Sequence, residues 1–176
     1  KNIELILKVM PDAENIWVIT DQSATGRANR SNFEFIINDY KEKVGFSFFD
    51  RGDGLEPEEI FSVSEMLGKR DVIFFMDFYN SRSGEYIDIG NFLRELCGRS
   101  PVPVFSHVDM YLDYGVTGGM MNSGHIQGQQ AGEIAARIIN GVKAEDILPA
   151  TERSLPVFNY FKLKHYGIPV SNAPQG

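Results

Sequence analysis

Two aspartates and one serine stand directly after apolar runs, where phosphoryl-transfer folds carry reactive groups. Asp21 follows the first run, Asp77 a later one and Ser106 the next. A receiver domain would also need an acidic pair beside the first strand to hold Mg²⁺ and a lysine after the fifth. Asp21 has no acidic neighbour, and residues 116–121 contain no lysine. We therefore disfavour phosphoryl transfer, and we keep a flavodoxin-like enzyme or receiver-type phosphoacceptor using Asp21 or Asp77 as the alternative function.

The histidines and the cysteine offer little further chemistry. His107, His125 and His165 fall in different segments, so a catalytic triad would have to be assembled by folding alone. Ser106 and His107 are adjacent, and adjacent residues of a strand point to opposite faces, which disfavours their pairing. The single Cys97 cannot form an internal disulfide or a cysteine cluster. The sequence predicts no catalytic residue, no metal site and no cofactor.

Residues 50–54 read Asp-Arg-Gly-Asp-Gly, with two acids beside glycines. We interpret this segment as a solvated turn ahead of a helix that begins around Glu56, Pro57 and Glu58. Proline suits the first helical position, and acids in the first turn are favoured by the helix dipole. Adhesion or calcium binding is the weaker interpretation, because it rests on five residues.

Five segments repeat apolar residues at i, i+3, i+4 and i+7, which predicts amphipathic helices that each bury one face. These segments are Ile3–Met10, Phe33–Tyr40, Ile60–Leu67, Ile89–Leu96 and Ala131–Ile138.

Short apolar runs between the helices predict strands, at Asn15–Thr20, Val44–Phe49, Asp71–Met76 and Pro101–Phe105. The first and third are continuously hydrophobic, which is typical of parallel strands covered on both faces. Alternating strands and helices favour an α/β fold with a doubly wound, mainly parallel, flavodoxin-like sheet and helices on both faces. Because ligands of such sheets bind beyond the carboxyl ends of the strands, three polar loops are candidate binding loops: residues 21–27, 77–84 and 106–113.

Three regions follow one another along the chain. We expect an α/β lobe core in residues 1–114, a glycine-rich crossover with a long helix belonging to or facing another lobe in 115–150, and a return strand with a C-terminal tail in 151–176. Gly115, Gly118 and Gly119 lie in the crossover. Because glycine adopts backbone angles closed to other residues, we interpret these three as a hinge.

Composition excludes several classes of protein. The 17 Lys and Arg residues against 24 Asp and Glu give a net charge of −7, without a basic run, so nucleic acid is a poor partner. A hydrophobic content of 43% supports a packed core. No apolar stretch approaches the roughly 20 residues that a bilayer requires, and the N-terminal residues lack a signal-peptide layout.

Several short motifs follow one another along the chain, at Pro11–Asp21, Ala24–Gly26, Asp77–Tyr86, Pro101–Phe105, Gly115–Gly119, Gln127–Gly132, Ile138–Gly141 and Phe161–Pro169. In this order they resemble the ABC transporter substrate-binding family, with the type I periplasmic binding protein fold. More specifically they resemble the version fused ahead of histidine kinase or diguanylate cyclase modules as an extracytoplasmic sensor. The resemblance covers nearly the whole chain, and the order of the motifs carries it more than any single motif.

The resemblance implies a binding function without catalysis. Family members have two lobes and are longer, so this chain resembles the second lobe with most of the N-terminal lobe missing. It implies an extracytoplasmic location, a small solute such as an amino acid held between the lobes, and a downstream kinase or cyclase module or an ABC permease as partner. Half a cleft gives up much of the contact that offsets association entropy, so we expect weak binding by the chain alone. An uncovered apolar lobe surface could also drive self-association, which leaves an interaction module as a further alternative.

The resemblance also implies a set of ligand-binding residues: Ser23, Ala24, Thr25, Phe78, Tyr79, Ser81, Asp109 and Tyr111. The first three would offer hydroxyl and N–H groups to a ligand carboxylate at a helix N-terminus. The next three would form a second wall, Asp109 would meet a ligand ammonium group, and Tyr111 would stack on an apolar part of the ligand. Packing in the core or at a lobe interface is the alternative role of the aromatic residues.

Overall fold

The sheet of the computed structural model, which describes residues 1–148 and 154–174, has six strands. They are β1 Asn15–Ile19, β2 Gly45–Phe48, β3 Asp71–Phe75, β4 Val104–Phe105, β5 Gly118–Met121 and β6 Leu155–Phe158. Their order across the sheet is β2-β1-β3-β4-β5-β6. The first five are parallel, and β6 pairs antiparallel with β5. The predicted mainly parallel sheet is confirmed.

Helices cover both faces of this sheet. They are α1 Asn2–Val9, α2 Ala24–Ile36, α3 Pro57–Ser64, α4 Ile89–Arg99, α5 Gly124–Ile139 and α6 Tyr160–His165. Apolar residues of α1, α2 and α6 share one buried cluster, and those of α3 and α4 share the other. The fold is therefore doubly wound, as the alternation of strands and helices predicts.

The central strands are apolar because both of their faces are buried. Val18 and Phe74 belong to the cluster on the α1 and α2 side, whereas Ile19 and Phe75 belong to the opposite cluster. Successive side chains of a strand point to opposite faces, so continuous hydrophobicity is what a strand between two helix layers requires.

Local signals fix the beginnings of three helices. The Ser23 hydroxyl accepts a hydrogen bond from Gly26 N at 3.0 Å, and the Asp88 carboxylate accepts one from Asn91 N at 2.8 Å. Helix α3 begins with a capping box between Glu56 and Glu59. Such caps satisfy N–H groups that the first helical turn leaves unpaired.

The turn at residues 50–54 differs from the solvated turn expected from sequence. Asp50 is 1% exposed, and one of its carboxylate oxygens accepts hydrogen bonds from Gly52 N at 2.7 Å and Gly54 N at 3.0 Å. Gln22 donates to the other oxygen. A buried carboxylate needs such donors, so the loop wraps around the Asp50 side chain, while Arg51, Gly52 and Asp53 are exposed.

The glycines of the expected crossover have two different environments. Gly115 has a φ of 101°, the left-handed angle anticipated for it, and ends a 3₁₀ helix at residues 109–114. Gly118 and Gly119 lie instead inside β5, and neither has a positive φ. A Cβ on Gly119 would stand 1.8 Å from the Ser106 carbonyl oxygen, so small size rather than backbone freedom explains this glycine. The hinge role of the three glycines stays a prediction.

Helix α5 contributes no residue to either buried cluster. None of its residues is buried, and Ile138 and Ile139 are 46% and 84% exposed. An amphipathic helix stabilised by its own lobe would bury its apolar stripe. The expected division at residues 115–150 stays a prediction, and its last two residues lie outside the described part of the chain.

The C-terminal region contains a strand, β6, where the return strand was expected. Strand β6 ends at Phe158, because the Asn159 side chain accepts hydrogen bonds from Phe161 N and Lys162 N and starts α6. Gly167, with a φ of 68°, follows α6. Residues 151–153 and 175–176 of the expected tail lie outside the described residues. Among the helices of the described residues, none is both long and apolar enough to cross a membrane.

Candidate ligand-binding site

A crevice is expected between the loops that follow β1 and β3. These strands are neighbours in the sheet, but the β1 loop leads to α2 on one face and the β3 loop leads to α4 on the other. Adjacent loops that diverge in this way form the topological switch point where open α/β sheets bind ligands. The site is therefore built from residues 21–25 on one side and 77–81 on the other.

Asp21 forms hydrogen bonds with both of these loops. One carboxylate oxygen accepts a hydrogen bond from Ser23 N at 2.9 Å. The other accepts from Tyr79 N at 2.7 Å and Asn80 N at 3.1 Å. The side chain is almost completely buried, with 3% of Asp21 exposed. Asp21 therefore ties the backbone of the β3 loop to the β1 loop.

Asp77 makes the reverse connection. Its carboxylate accepts hydrogen bonds from Thr20 Oγ1 at 2.9 Å, Asp21 N at 3.2 Å and Asn29 Nδ2 at 2.8 Å. Asp77 is 2% exposed. Among the residues that the structure describes, no group of three His, Cys, Asp or Glu residues could hold a metal ion. The carboxylates of the two aspartates considered for phosphoryl transfer thus accept hydrogen bonds from other residues of the protein.

The N-terminus of α2 forms the first side of the crevice. Ser23 caps the helix, and Ala24 and Thr25 are exposed in its first turn. The first N–H groups of a helix have no intrahelical acceptor, and those of Ala24 and Thr25 bond to no other described residue. These positions offer N–H donors at the positive end of the helix dipole, as the family resemblance implies.

A tyrosine pair forms part of the second side. Tyr79 is 37% exposed, whereas Tyr111 is 5% exposed. Burial raises the pKa of Tyr111, and its hydrogen bond to Tyr79 raises it further. Both rings line a cavity of about 420 Å³. The structure therefore brings together two of the expected ligand residues, which lie 32 positions apart in the sequence.

Two other expected wall residues have internal roles. Phe78 is 0% exposed and packs on Phe92 with ring centroids 4.9 Å apart, so the structure places it in the core and corrects its assignment to the wall. Ser81 is 7% exposed, and its hydroxyl bonds the Ser83 hydroxyl at 2.7 Å and accepts from Glu85 N at 3.1 Å. The Ser81 side chain therefore shapes the loop instead of facing the crevice.

Asp109 and Ser106 have different environments after β4. Asp109 is half-buried at the start of the 3₁₀ helix, and its N–H donates to Asn122 O at 3.2 Å. Ser106 is 0% exposed and donates its hydroxyl proton to Phe75 O at 2.8 Å. A nucleophilic serine would need an accessible oxygen, which Ser106 lacks.

The same cavity contains residues that the sequence reasoning missed. Tyr86, Tyr114, Met110 and Arg94 line it, and the Arg94 guanidinium lies 4.6 Å from the centre of the Tyr114 ring. This distance is typical of a cation–π contact. Tyr114 follows Tyr111 by three residues, which would have suggested a shared face on a helical turn.

A protein-family model identifies the family of this chain. The model described as ABC transporter substrate binding protein matches residues 1–173. The chain belongs to the ABC transporter substrate-binding protein family. A search of curated proteins gave no match.

Solved structures agree with this family assignment at the level of the fold. A conserved domain protein from Vibrio cholerae is 18% identical, with a TM-score of 0.64, over 97% of this chain and 56% of that one. A ligand-free, open substrate-binding protein with adhesive properties from Clostridium difficile is 18% identical, with a TM-score of 0.72, over 96% and 55%. A Streptococcus pneumoniae ABC domain in complex with L-Trp is 15% identical, with a TM-score of 0.67, over 97% and 56%. This chain therefore spans 55 to 56% of the length of those structures.

Proposed function

We propose that this chain is one lobe of a solute-binding protein and that its ligand occupies the crevice between the loops after β1 and β3. The observation that carries the proposal is the switch point itself, where the Asp21 carboxylate joins the start of α2 to the Tyr79 loop. Membership of a substrate-binding family supports a bound solute. The chain would hold this solute without changing it.

An amino acid is the ligand class that fits the crevice best. Its carboxylate would accept hydrogen bonds from Ala24 N and Thr25 N, where the helix dipole favours negative charge. The Asp109 carboxylate would attract the ammonium group, and the Tyr79 ring would cover the side chain. The complex of the related Streptococcus pneumoniae protein with L-Trp supports L-tryptophan as the first probe.

A second lobe would complete the site. Helix α5 follows β5 and leaves an apolar stripe uncovered, which another lobe would bury. The chain also spans only 55 to 56% of the length of its structural relatives. The ligand would then be desolvated from both sides, whereas this chain alone would bind it weakly.

We further propose an extracytoplasmic location and an ABC permease as the downstream partner, because the matching family serves ABC transporters. A sensor fused to a kinase or cyclase module would use the same crevice. It would differ only in the module that responds to closure of the lobes.

Ligand-detected NMR tests the proposal directly, because it records weak binding. L-Tryptophan and the other common amino acids would be titrated into the chain, with a neutral sugar as the negative ligand. We expect saturation transfer to at least one amino acid and its loss in Tyr79→Ala. Tyr160→Ala is the matched control, since Tyr160 is an exposed tyrosine at the start of α6, after the outer strand β6. No transfer to any amino acid, or equal transfer in Tyr79→Ala, would count against the site.

A further inference from the structure

Asp21 holds both sides of the crevice at once. It accepts the N–H of Ser23, which caps α2, and the N–H groups of Tyr79 and Asn80 in the opposite loop. These three N–H groups lie beyond the ends of β1 and β3 and donate to no backbone oxygen of the described residues. Only 3% of Asp21 is exposed, so its carboxylate is not accessible to a solute in the crevice.

Asp77 fixes Asp21 in turn. The Asp77 carboxylate accepts Asp21 N at 3.2 Å, and it also holds Asn29 of α2 at 2.8 Å. Each aspartate therefore accepts a hydrogen bond from the backbone of the other's loop. The residues joined are 56 positions apart for the bond from Asp21 N to Asp77 and 58 apart for the bond from Tyr79 N to Asp21. Hydrogen bonds to ionised carboxylates are stronger than those between neutral groups.

Gly26 shows how closely α2 packs against this arrangement. A Cβ on Gly26 would lie 2.2 Å from Asp21 O and 2.4 Å from Asp21 Oδ1. Neither distance is possible for a real side chain, so a glycine is required where the helix meets the carboxylate. The position of the α2 N-terminus is thus set by Asp21 as well as by the Ser23 cap.

We infer that Asp21 is a positioning residue for ligand binding: it sets the spacing between the α2 N-terminus and the Tyr79 loop, and Asp77 holds it in place. The consequence for affinity rests on the proposed function, whereas the link between the loops does not. Asn is the informative substitution, because it has nearly the same shape as Asp but only one acceptor oxygen. Asp21→Asn can therefore serve only one of the two loops.

Amide hydrogen exchange measured by NMR tests the link. In the wild-type chain the amides of Ser23, Tyr79 and Asn80 should be protected although they lie outside the sheet. In Asp21→Asn the amide of Ser23 or those of the Tyr79 loop should exchange roughly 10- to 100-fold faster, as expected for a lost hydrogen bond to a charged group. Asp71→Asn is the matched control, since Asp71 accepts Trp17 Nε1 and Gly68 N near the start of β3, and it should leave these amides unchanged.

Several outcomes decide the inference. Unprotected amides in the wild-type chain, or protection that survives in Asp21→Asn, would overturn it. If Asp21→Asn does not fold, the wild-type exchange rates and the Asp77→Ala variant, in which Asp21 N loses its acceptor, decide instead. Where Asp21→Asn speeds amide exchange, it should also weaken the saturation-transfer response to L-tryptophan at least tenfold. Asp71→Asn should leave this response unchanged. An unchanged response in Asp21→Asn would refute the positioning role. Absence of any amino-acid binding by the wild-type chain would refute the proposed function and leave the exchange rates to decide the link.

Discussion

Replacing Gly119 by alanine tests why two glycines stand side by side in β5. The added Cβ would lie 1.8 Å from the Ser106 carbonyl oxygen, more than 1 Å inside the closest approach that real Cβ atoms show. This oxygen belongs to the backbone, and Ser106 N donates to Gly118 O at 3.0 Å. The backbone therefore cannot retreat without weakening the pairing of β4 with β5.

The expected loss of stability follows from these contacts. Overpacking costs about 1 to 3 kcal/mol, and a weakened backbone hydrogen bond costs about 1 kcal/mol. We expect Gly119→Ala to lower the free energy of unfolding by about 3 kcal/mol. For a chain of this size, that is a fall in Tm of roughly 6 to 12 °C.

Gly132→Ala is the matched control, because a Cβ on Gly132 in the exposed helix α5 would meet nothing within 4 Å. Alanine in a helix interior is more stable than glycine by about 0.5 to 1 kcal/mol, so this variant should be neutral or stabilised. Thermal unfolding followed by circular dichroism measures both variants. An unchanged Tm for Gly119→Ala would refute the assignment of a close β4–β5 contact and return Gly119 to the role of a flexible crossover residue.

Two further predictions concern buried titratable groups. Burial raises the pKa of the Cys97 thiol to about 12, so the native chain should react with a thiol reagent no faster than it unfolds, and rapid labelling in native buffer would contradict its burial. Burial acts to raise the pKa of Asp50, but hydrogen bonds from Gly52, Gln22 and Gly54 and the charge of Arg30 together hold it below its ordinary value. Its contribution to stability is present above about pH 4 and is lost as the pH falls through the lowered pKa. Asp50→Asn should therefore flatten the acid-side decline of the unfolding free energy, and an equally steep decline in both proteins would contradict this.

The parts of the fold that were predictable from sequence are those with a continuous or periodic pattern. Strands β1 and β3 are apolar along their length because both faces are buried, and the polar loops after them mark the carboxyl edge of the sheet. Strand β5 was not recognisable as a strand, because its two glycines resemble a loop until the close approach of Ser106 is known. The end of β6 was obscured in a similar way, since Asn159 starts α6 within an aromatic run.

The site was predictable as a set of loops but not as a set of contacts. Phe78 and Tyr79 are adjacent aromatic residues, yet one is core and the other is 37% exposed, because the loop turns one side chain inward. The partners of Asp21 are backbone N–H groups 58 and 59 residues away. No pattern of residue types reveals such partners, so the aspartates resembled an incomplete catalytic centre.

The most direct test of the binding crevice is the mapping of backbone amide chemical shifts in the chain during titration with its best-responding amino acid. Weak binding suffices, since fast exchange still moves the signals of residues at the site. The account predicts shifts concentrated at Ala24, Thr25 and Tyr79, with no change around Tyr160 at the opposite edge. Shifts that gather instead around Trp17 beside the outer strand β2, or none at saturating concentrations of every amino acid, would contradict it.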